Sequence, residues 1–234
     1  MTIRGVAHRG YPAKFPENTL SSFRAACELA FTHLELDVQL TKDGVPVVFH
    51  DTSVERMTDG TGRIKDLTLK EIKELSVKGI ERIPTLEEAL DLLKDRLIVD
   101  IELKQAGDLY PGLEKTVLDT LKKKDMIEQS FLASFDHYSL AKARELNDKI
   151  GLGIINHGSS PALFPLAKEL NCEYMSIRYE FITDEIIAKC EAENIIMIPY
   201  TIDDEKDMQL VVKNPSLLIC TNELEHWIKV YKQQ

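Results

Sequence analysis

Residues 33–40 read HLELDVQL, and their strict alternation decides how the chain folds. Successive side chains of a strand point to opposite faces. His33, Glu35, Asp37 and Gln39 therefore share one face, and Leu34, Leu36, Val38 and Leu40 share the other. Residues 97–104, LIVDIELK, repeat the pattern: Asp100, Glu102 and Lys104 lie on one side, and Leu97, Val99, Ile101 and Leu103 on the other. In a small barrel the apolar sets pack against surrounding helices, so the acidic sets turn toward the barrel axis.

Working outward, six more runs have strand character: Gly5–His8, Ser130–Phe135, Ile150–Ile155, Tyr174–Arg178, Ile195–Thr201 and Leu217–Thr221. Most are rich in Ile, Val or Leu, as strands covered on both faces should be. Helical patterns separate them. Leu20, Phe23, Cys27 and Ala30 mark one face of a first helix, with Asn18 or Thr19 as its N-cap. Thr85-Leu86-Glu87-Glu88 and Thr68-Leu69-Lys70-Glu71 have the form of capping boxes. Later helices are predicted over about 112–124, 138–146, 162–170, 184–193, 205–212 and 223–231. Alternating strands and helices imply a parallel sheet with right-handed crossovers, and eight such units point to an α/β fold, a closed (β/α)8 TIM barrel. No G-x-G-x-x-G follows the first strand, which argues against a dinucleotide-binding sheet. The whole chain, 1–234, is expected to form a single domain. A small insertion after the second strand, about 42–76, carries the extended run Val45–His50 and the helix opened by Thr68.

Composition excludes several classes of function. With 29 Lys+Arg against 39 Asp+Glu the formal charge is −10, and the single basic run is Lys122-Lys123-Lys124 at a helix end. Nucleic acid and anionic membrane are disfavoured as partners. Apolar runs are too short to cross a bilayer and no signal pattern opens the chain, so a soluble, cytoplasmic protein is expected. Cys27, Cys172, Cys190 and Cys220 lack C-x-x-C spacing and are expected to be buried free thiols.

Glu35 and Asp37 have Cα atoms about 7 Å apart from strand rise alone. Two inward carboxylates so close repel unless one is protonated or a cation lies between them. Arg9 and Lys104 could neutralise the acids in a structural network. Two cations do not readily satisfy Glu35, Asp37, Asp100 and Glu102 together, so a divalent ion is favoured. The all-oxygen set Glu35, Asp37 and Glu102 suits a hard cation such as Mg²⁺ or Ca²⁺ rather than zinc. His8 and His50 each end an apolar run near this cluster and are candidate general acid/base residues. His33, His137, His157 and His226 are read as structural or surface residues.

Seven short stretches, in this order and spacing, resemble the glycerophosphodiester phosphodiesterase family: H-R-G at 8–10, P-E-N-T at 16–19, E-L-D-V at 35–38, K-D-G at 42–44, V-x-H-D at 48–51, I-P-T-L at 83–86 and I-E-L-K at 101–104. The S-F-D at 134–136 is a further echo. The resemblance implies a (β/α)8 barrel that hydrolyses glycerophosphodiesters to sn-glycerol 3-phosphate and an alcohol with a divalent cation. It implies His8 and His50 as the acid/base pair and Glu35, Asp37 and Glu102 as metal ligands. It also implies Arg9 and Lys104 as the phosphate-holding residues; Glu17 receives no firm role, and Asn18 is explained as a helix cap. A small-molecule glycerophosphodiester is thus the expected partner. Two segments depart from the family pattern. Tyr200-Thr201-Ile202-Asp203 stands where a W-T-x-N-like run is usual, and LLICTNEL at 217–224 where D-G-I-I-T-D-x-P is usual. A related barrel phospholipase and a non-catalytic phospho-polyol-binding barrel are the alternative readings.

Overall fold

Alternating apolar strands need cover on their outer face, and a computed structural model, which describes residues 2–233, provides it with a ring of helices. The parallel strands are β1 (Ile3–Ala7), β2 (Phe31–Leu40), β4 (Ile98–Leu103), β5 (Ser130–Ser134), β6 (Gly151–Asn156), β7 (Tyr174–Arg178), β8 (Ile196–Tyr200) and β9 (Cys220–Thr221). They are hydrogen-bonded in the order β8-β7-β6-β5-β4-β2-β1-β9. Two backbone bonds close the ring: Leu218 N–H to Met197 C=O and Ile202 N–H to Cys220 C=O, both 2.9 Å. The eight-stranded parallel barrel expected from the alternation is therefore present. Its last strand is shorter than the run 217–221 suggests, because only Cys220 and Thr221 pair in full register with β1.

Three apolar cores hold the molecule together. The largest lies between strands and helices and contains Leu34, Leu36, Val38, Val99, Ile101 and Leu103. These are the outward residues of β2 and β4, as their alternation requires. Fully burying each such side chain contributes roughly 1.5–3 kcal/mol. A second core fills the barrel interior with Val6, Phe131, Tyr174, Ile198 and Leu218. There Phe131 stacks on Tyr174 with centroids 3.8 Å apart. Glycine on β6 makes that stack possible, since a Cβ on Gly151 would lie 2.9 Å from Phe131 Cβ. The barrel floor is thus plugged with rings, and the polar inward residues lie above it.

The helices start where their caps dictate. α1 (Leu20–Glu28) is capped by Thr19, whose hydroxyl accepts from Ser22 N–H. Asn18 is not a cap, contrary to expectation, and its amide is used elsewhere. Ala30 also falls outside α1, in a left-handed turn with φ 59°. Both expected capping boxes are formed, by Thr68 with Glu71 on α2 (Leu69–Glu74) and by Thr85 with Glu88 on α3 (Leu86–Leu93). The remaining helices are α4 (Leu113–Lys124), α5 (His137–Leu146), α6 (Leu163–Glu169), α7 (Asp184–Ala192), α8 (Glu205–Lys213) and α9 (Leu224–Tyr231).

The insertion after β2 has its own small core. Short strand β3 (Pro46–Val48) runs antiparallel to the end of β2. Val47, Phe49, Val54, Ile64, Ile72, Val77 and Ile83 then bury one another. The excursion therefore runs past residue 76, because its core takes in Val77 and Ile83. It leans on the C-terminal end of β2 and brings His50 to the barrel mouth.

Candidate active site

The chain leaves β1 through a sharp bend that explains the residue types at 8–10. Arg9 adopts a left-handed conformation with φ 54° and Gly10 follows at φ 85°. A side chain at Gly10 would strike Ser22, with its Cβ 2.4 Å from the Ser22 hydroxyl. For Arg9, a non-glycine residue, that backbone costs of order 1–3 kcal/mol. The bend points Arg9 N–H at Glu35 Oε2, 2.9 Å away, while the Arg9 guanidinium bonds Glu17 Oε1 at 3.0 Å.

Glu35, Asp37 and Glu102 come together as the alternation requires. One oxygen of each lies within 4.8 Å of the others, an arrangement that can hold a metal ion. Arg9 Nε and Lys104 Nζ approach Asp37 at 3.3 and 3.4 Å, and Lys104 bonds Glu102 at 2.6 Å. Asn18 Nδ2 donates to Asp37 Oδ2 at 2.7 Å, which is the work its left-handed position serves. Even so, Glu35 Oε1 and Asp37 Oδ1 are buried without a hydrogen bond. Burial works against ionisation of Asp37, but Lys104 and Arg9 outweigh it and lower its pKa. Burial and then the Asp37 charge raise Glu35 well above the usual carboxylate range and push Glu102 up to about 7. Asp100, the register partner of Glu35 on β4, is raised chiefly by burial and then by Glu102. Too much negative charge therefore occupies this space for the two cations present. Hard oxygen donors, two of them unsatisfied, fit a divalent cation.

His8 and His50 line the same cavity, and each has its Nδ1 occupied. His50 Nδ1 bonds Asp51 Oδ1 at 2.8 Å. Asp51 in turn accepts from Arg56 Nε at 2.5 Å, and Arg56 reaches Glu17 at 2.6 Å. Glu17 is therefore the bridge between Arg9 and Arg56. Burial opposes the charge of Asp51, but its bonds to Arg56 and His50 hold it down at about 2. His8 Nδ1 bonds an amide instead, Asn222 Oδ1, at 2.8 Å, and its Nε2 lies 3.9 Å from Glu35 Oε2. Burial, then Arg9, lowers the His8 pKa to about 4; burial also lowers that of His50.

Residues 8–226 match the model of the glycerophosphoryl diester phosphodiesterase family. This chain belongs to that family. It is 35% identical over 237 residues to a glycerophosphodiester phosphodiesterase of Caldanaerobacter subterraneus subsp. tengcongensis, covering 97% of each chain. With the glycerophosphodiester phosphodiesterase of Bacillus altitudinis it shares 31% identity over 87% of each chain. Among solved structures, it is similar to a phosphodiesterase of Oleispira antarctica in complex with the product sn-glycerol-3-phosphate. That similarity has a TM-score of 0.90 at 28% identity and covers 98% of this chain and 96% of that one.

Within the family framework, six of the seven expected site residues line one cavity of about 150 Å³ at the C-terminal end of the barrel: His8, Arg9, Glu35, His50, Glu102 and Lys104. Asp37 does not line it, being 0% exposed behind Arg9 and Lys104. Phe135, Ile155, Ile198 and Tyr200 form the facing wall. The Phe135 ring meets Tyr200 edge-on at 6.4 Å and His157 at 4.9 Å, which places His157 at the rim. Sequence reading did not find Asn222, Asp203 or Arg56. The first two sit in the segments that depart from the family pattern, and Arg56 lies in the insertion among residues without recognisable periodicity. Among the described residues no helix is long and apolar enough to cross a membrane.

Proposed function

We propose that this protein hydrolyses glycerophosphodiesters to sn-glycerol 3-phosphate and an alcohol, with His8 and His50 moving the protons and a divalent cation, Mg²⁺ or Ca²⁺, held by Glu35, Asp37 and Glu102. The observation that carries this is the convergence of two histidines, Arg9, Lys104 and the carboxylate cluster on one cavity in a chain of this family. The product-bound relative from Oleispira antarctica supports sn-glycerol 3-phosphate as the recognised half.

A phosphodiester resists attack because its anionic oxygens repel a nucleophile. Arg9 and Lys104 present N–H donors to those oxygens, in a site where burial makes such bonds strong. The cation supplies further neutralisation of the diester charge when bound. One histidine takes a proton from the attacking hydroxyl and the other gives one to the leaving alkoxide, work to which imidazole is suited. The attacking group is the free hydroxyl of the glycerol next to the ester oxygen. Its in-line attack forms a five-membered cyclic phosphate and releases the alcohol, and water then opens the ring with the histidines exchanging roles. Phe135 and Tyr200 offer the leaving alcohol an apolar wall.

The test is a coupled assay for sn-glycerol 3-phosphate release from choline, ethanolamine, glycerol and inositol diesters, after EDTA treatment and with each metal restored. Metal-dependent release is expected; no release from any diester with Mg²⁺, Ca²⁺ or Mn²⁺ overturns the reading. An unchanged rate on diesters lacking the neighbouring hydroxyl overturns the cyclic route alone.

A further inference from the structure

We propose that Asp203 and Asn222 are positioning residues that lock the His8 proton on Nδ1, so that Nε2 is the atom that exchanges protons with substrate. A side-chain amide can be turned over with little change in shape, so an Asn–His contact alone leaves the tautomer open. Here Asp203 removes that freedom. A carboxylate only accepts, and Asp203 Oδ2 takes a hydrogen bond from Asn222 Nδ2 at 2.7 Å. Asp203 itself cannot swing away. Its Oδ1 accepts from Asn222 N–H at 2.7 Å and from the Thr221 hydroxyl at 3.1 Å.

With Nδ2 committed to Asp203, the amide oxygen must face His8, where it lies 2.8 Å from Nδ1. An amide oxygen cannot donate, so Nδ1 carries the hydrogen in both the neutral and the charged ring. Proton exchange is left to Nε2, the nitrogen on the Glu35 side. Free neutral histidine prefers the other tautomer, so the pair selects a minority form. His50 is fixed by different means, through Asp51 and Arg56. The His8 arrangement is thus a separate device, built from the loop after β8 and the end of β9.

The chemistry of the pair makes two substitutions diagnostic. Asp203→Asn sets an amide N–H against Asn222 Nδ2, two donors face to face, and Asn222 relieves this only by turning its own N–H toward His8. The reciprocal double variant Asp203→Asn/Asn222→Asp restores one donor and one acceptor at every contact, with a carboxylate oxygen now accepting from Nδ1. ¹⁵N-resolved imidazole spectra of the EDTA-treated and Mg²⁺-loaded wild-type protein, with the His8 signal identified by its loss in His8→Gln, read the tautomer directly.

The wild-type ring is expected to be protonated on Nδ1; protonation on Nε2 alone overturns the inference without any further variant. Asp203→Asn is expected to move the hydrogen to Nε2 and lower kcat about 10- to 100-fold, the scale known for losing a partner that fixes the tautomer of a metal-bound histidine. KM should change less than about threefold. The double variant should return the Nδ1 tautomer and bring kcat to within about threefold of wild type. A double variant no more active than Asp203→Asn overturns the proposal. The kinetic part rests on the phosphodiesterase reading above. Absence of turnover by the wild type on every diester removes that reading, whereas an active wild type with the Nε2 tautomer removes only this one.

Discussion

The two walls of the cavity are built from opposite materials. The strand ends and loops of β1, β2 and β4, with the insertion, contribute His8, Arg9, Glu35, His50, Glu102 and Lys104. Those of β5 to β8 contribute Phe135, Ile155, Ser176, Ile198 and Tyr200. A phosphodiester has the same asymmetry, with a charged centre and an alcohol of variable chemistry. The charged wall suits the part common to all substrates and the apolar wall the part that differs. Substitutions on the first should therefore destroy turnover, and on the second should change preference.

The sharpest break in this comparison is removal of either histidine. His8→Ala and His50→Ala are each expected to cut kcat at least about 100-fold, measured on the best diester with metal saturating. Near-wild-type rates in either would take that residue out of the chemistry. Next comes the metal, read without turnover. A divalent ion at about 100 times its Kd stabilises a folded protein by about 2.7 kcal/mol. For a chain of this size that raises Tm by roughly 5–10 °C. Thermal melts with and without Mg²⁺ should show the rise in wild type and its loss in Glu35→Gln.

A third expectation concerns pH. Glu102 sits at about 7 in the folded protein, against 4.5 for an ordinary glutamate. A carboxyl whose folded pKa is raised contributes stability below its unfolded value and loses it as pH climbs through the folded one. In EDTA, wild type should therefore lose Tm relative to Glu102→Gln between pH 5 and pH 8. A constant difference across that range would place the charge burden elsewhere in the cluster. The smallest effects belong to the apolar wall. Phe135→Ala and Tyr200→Ala remove aromatic contacts worth about 0.5–1.5 kcal/mol. They should change the ratio of kcat/KM between choline and glycerol diesters by about 3- to 10-fold, leaving kcat on the preferred diester within that range.

Legibility in the sequence followed the same division. The charged wall was readable because strand alternation has a period of two, which forces Glu35 and Asp37 inward together and sets Glu102 on the same face of the neighbouring strand. Register then placed Asp37 opposite Glu102. The caps at Thr68 and Thr85 were readable because a capping box is a contact between residues three apart. Asn18 was misread as a cap for the complementary reason. Its partner Asp37 is 19 residues away, and nothing local marks the pairing.

By itself, then, the sequence determined the barrel, the inward acids and the placing of His8 and His50 at strand ends near them, since all of these follow from local period or short motifs. Only the tertiary structure decided what holds the histidines. Asn222 lies 214 residues from His8 and meets it because ring closure sets β9 beside β1. Arg56 is 39 residues from Glu17 and meets it because the insertion packs its own core against the end of β2. Contacts of that range are fixed by how the elements close on one another, and no pattern along the chain encodes them.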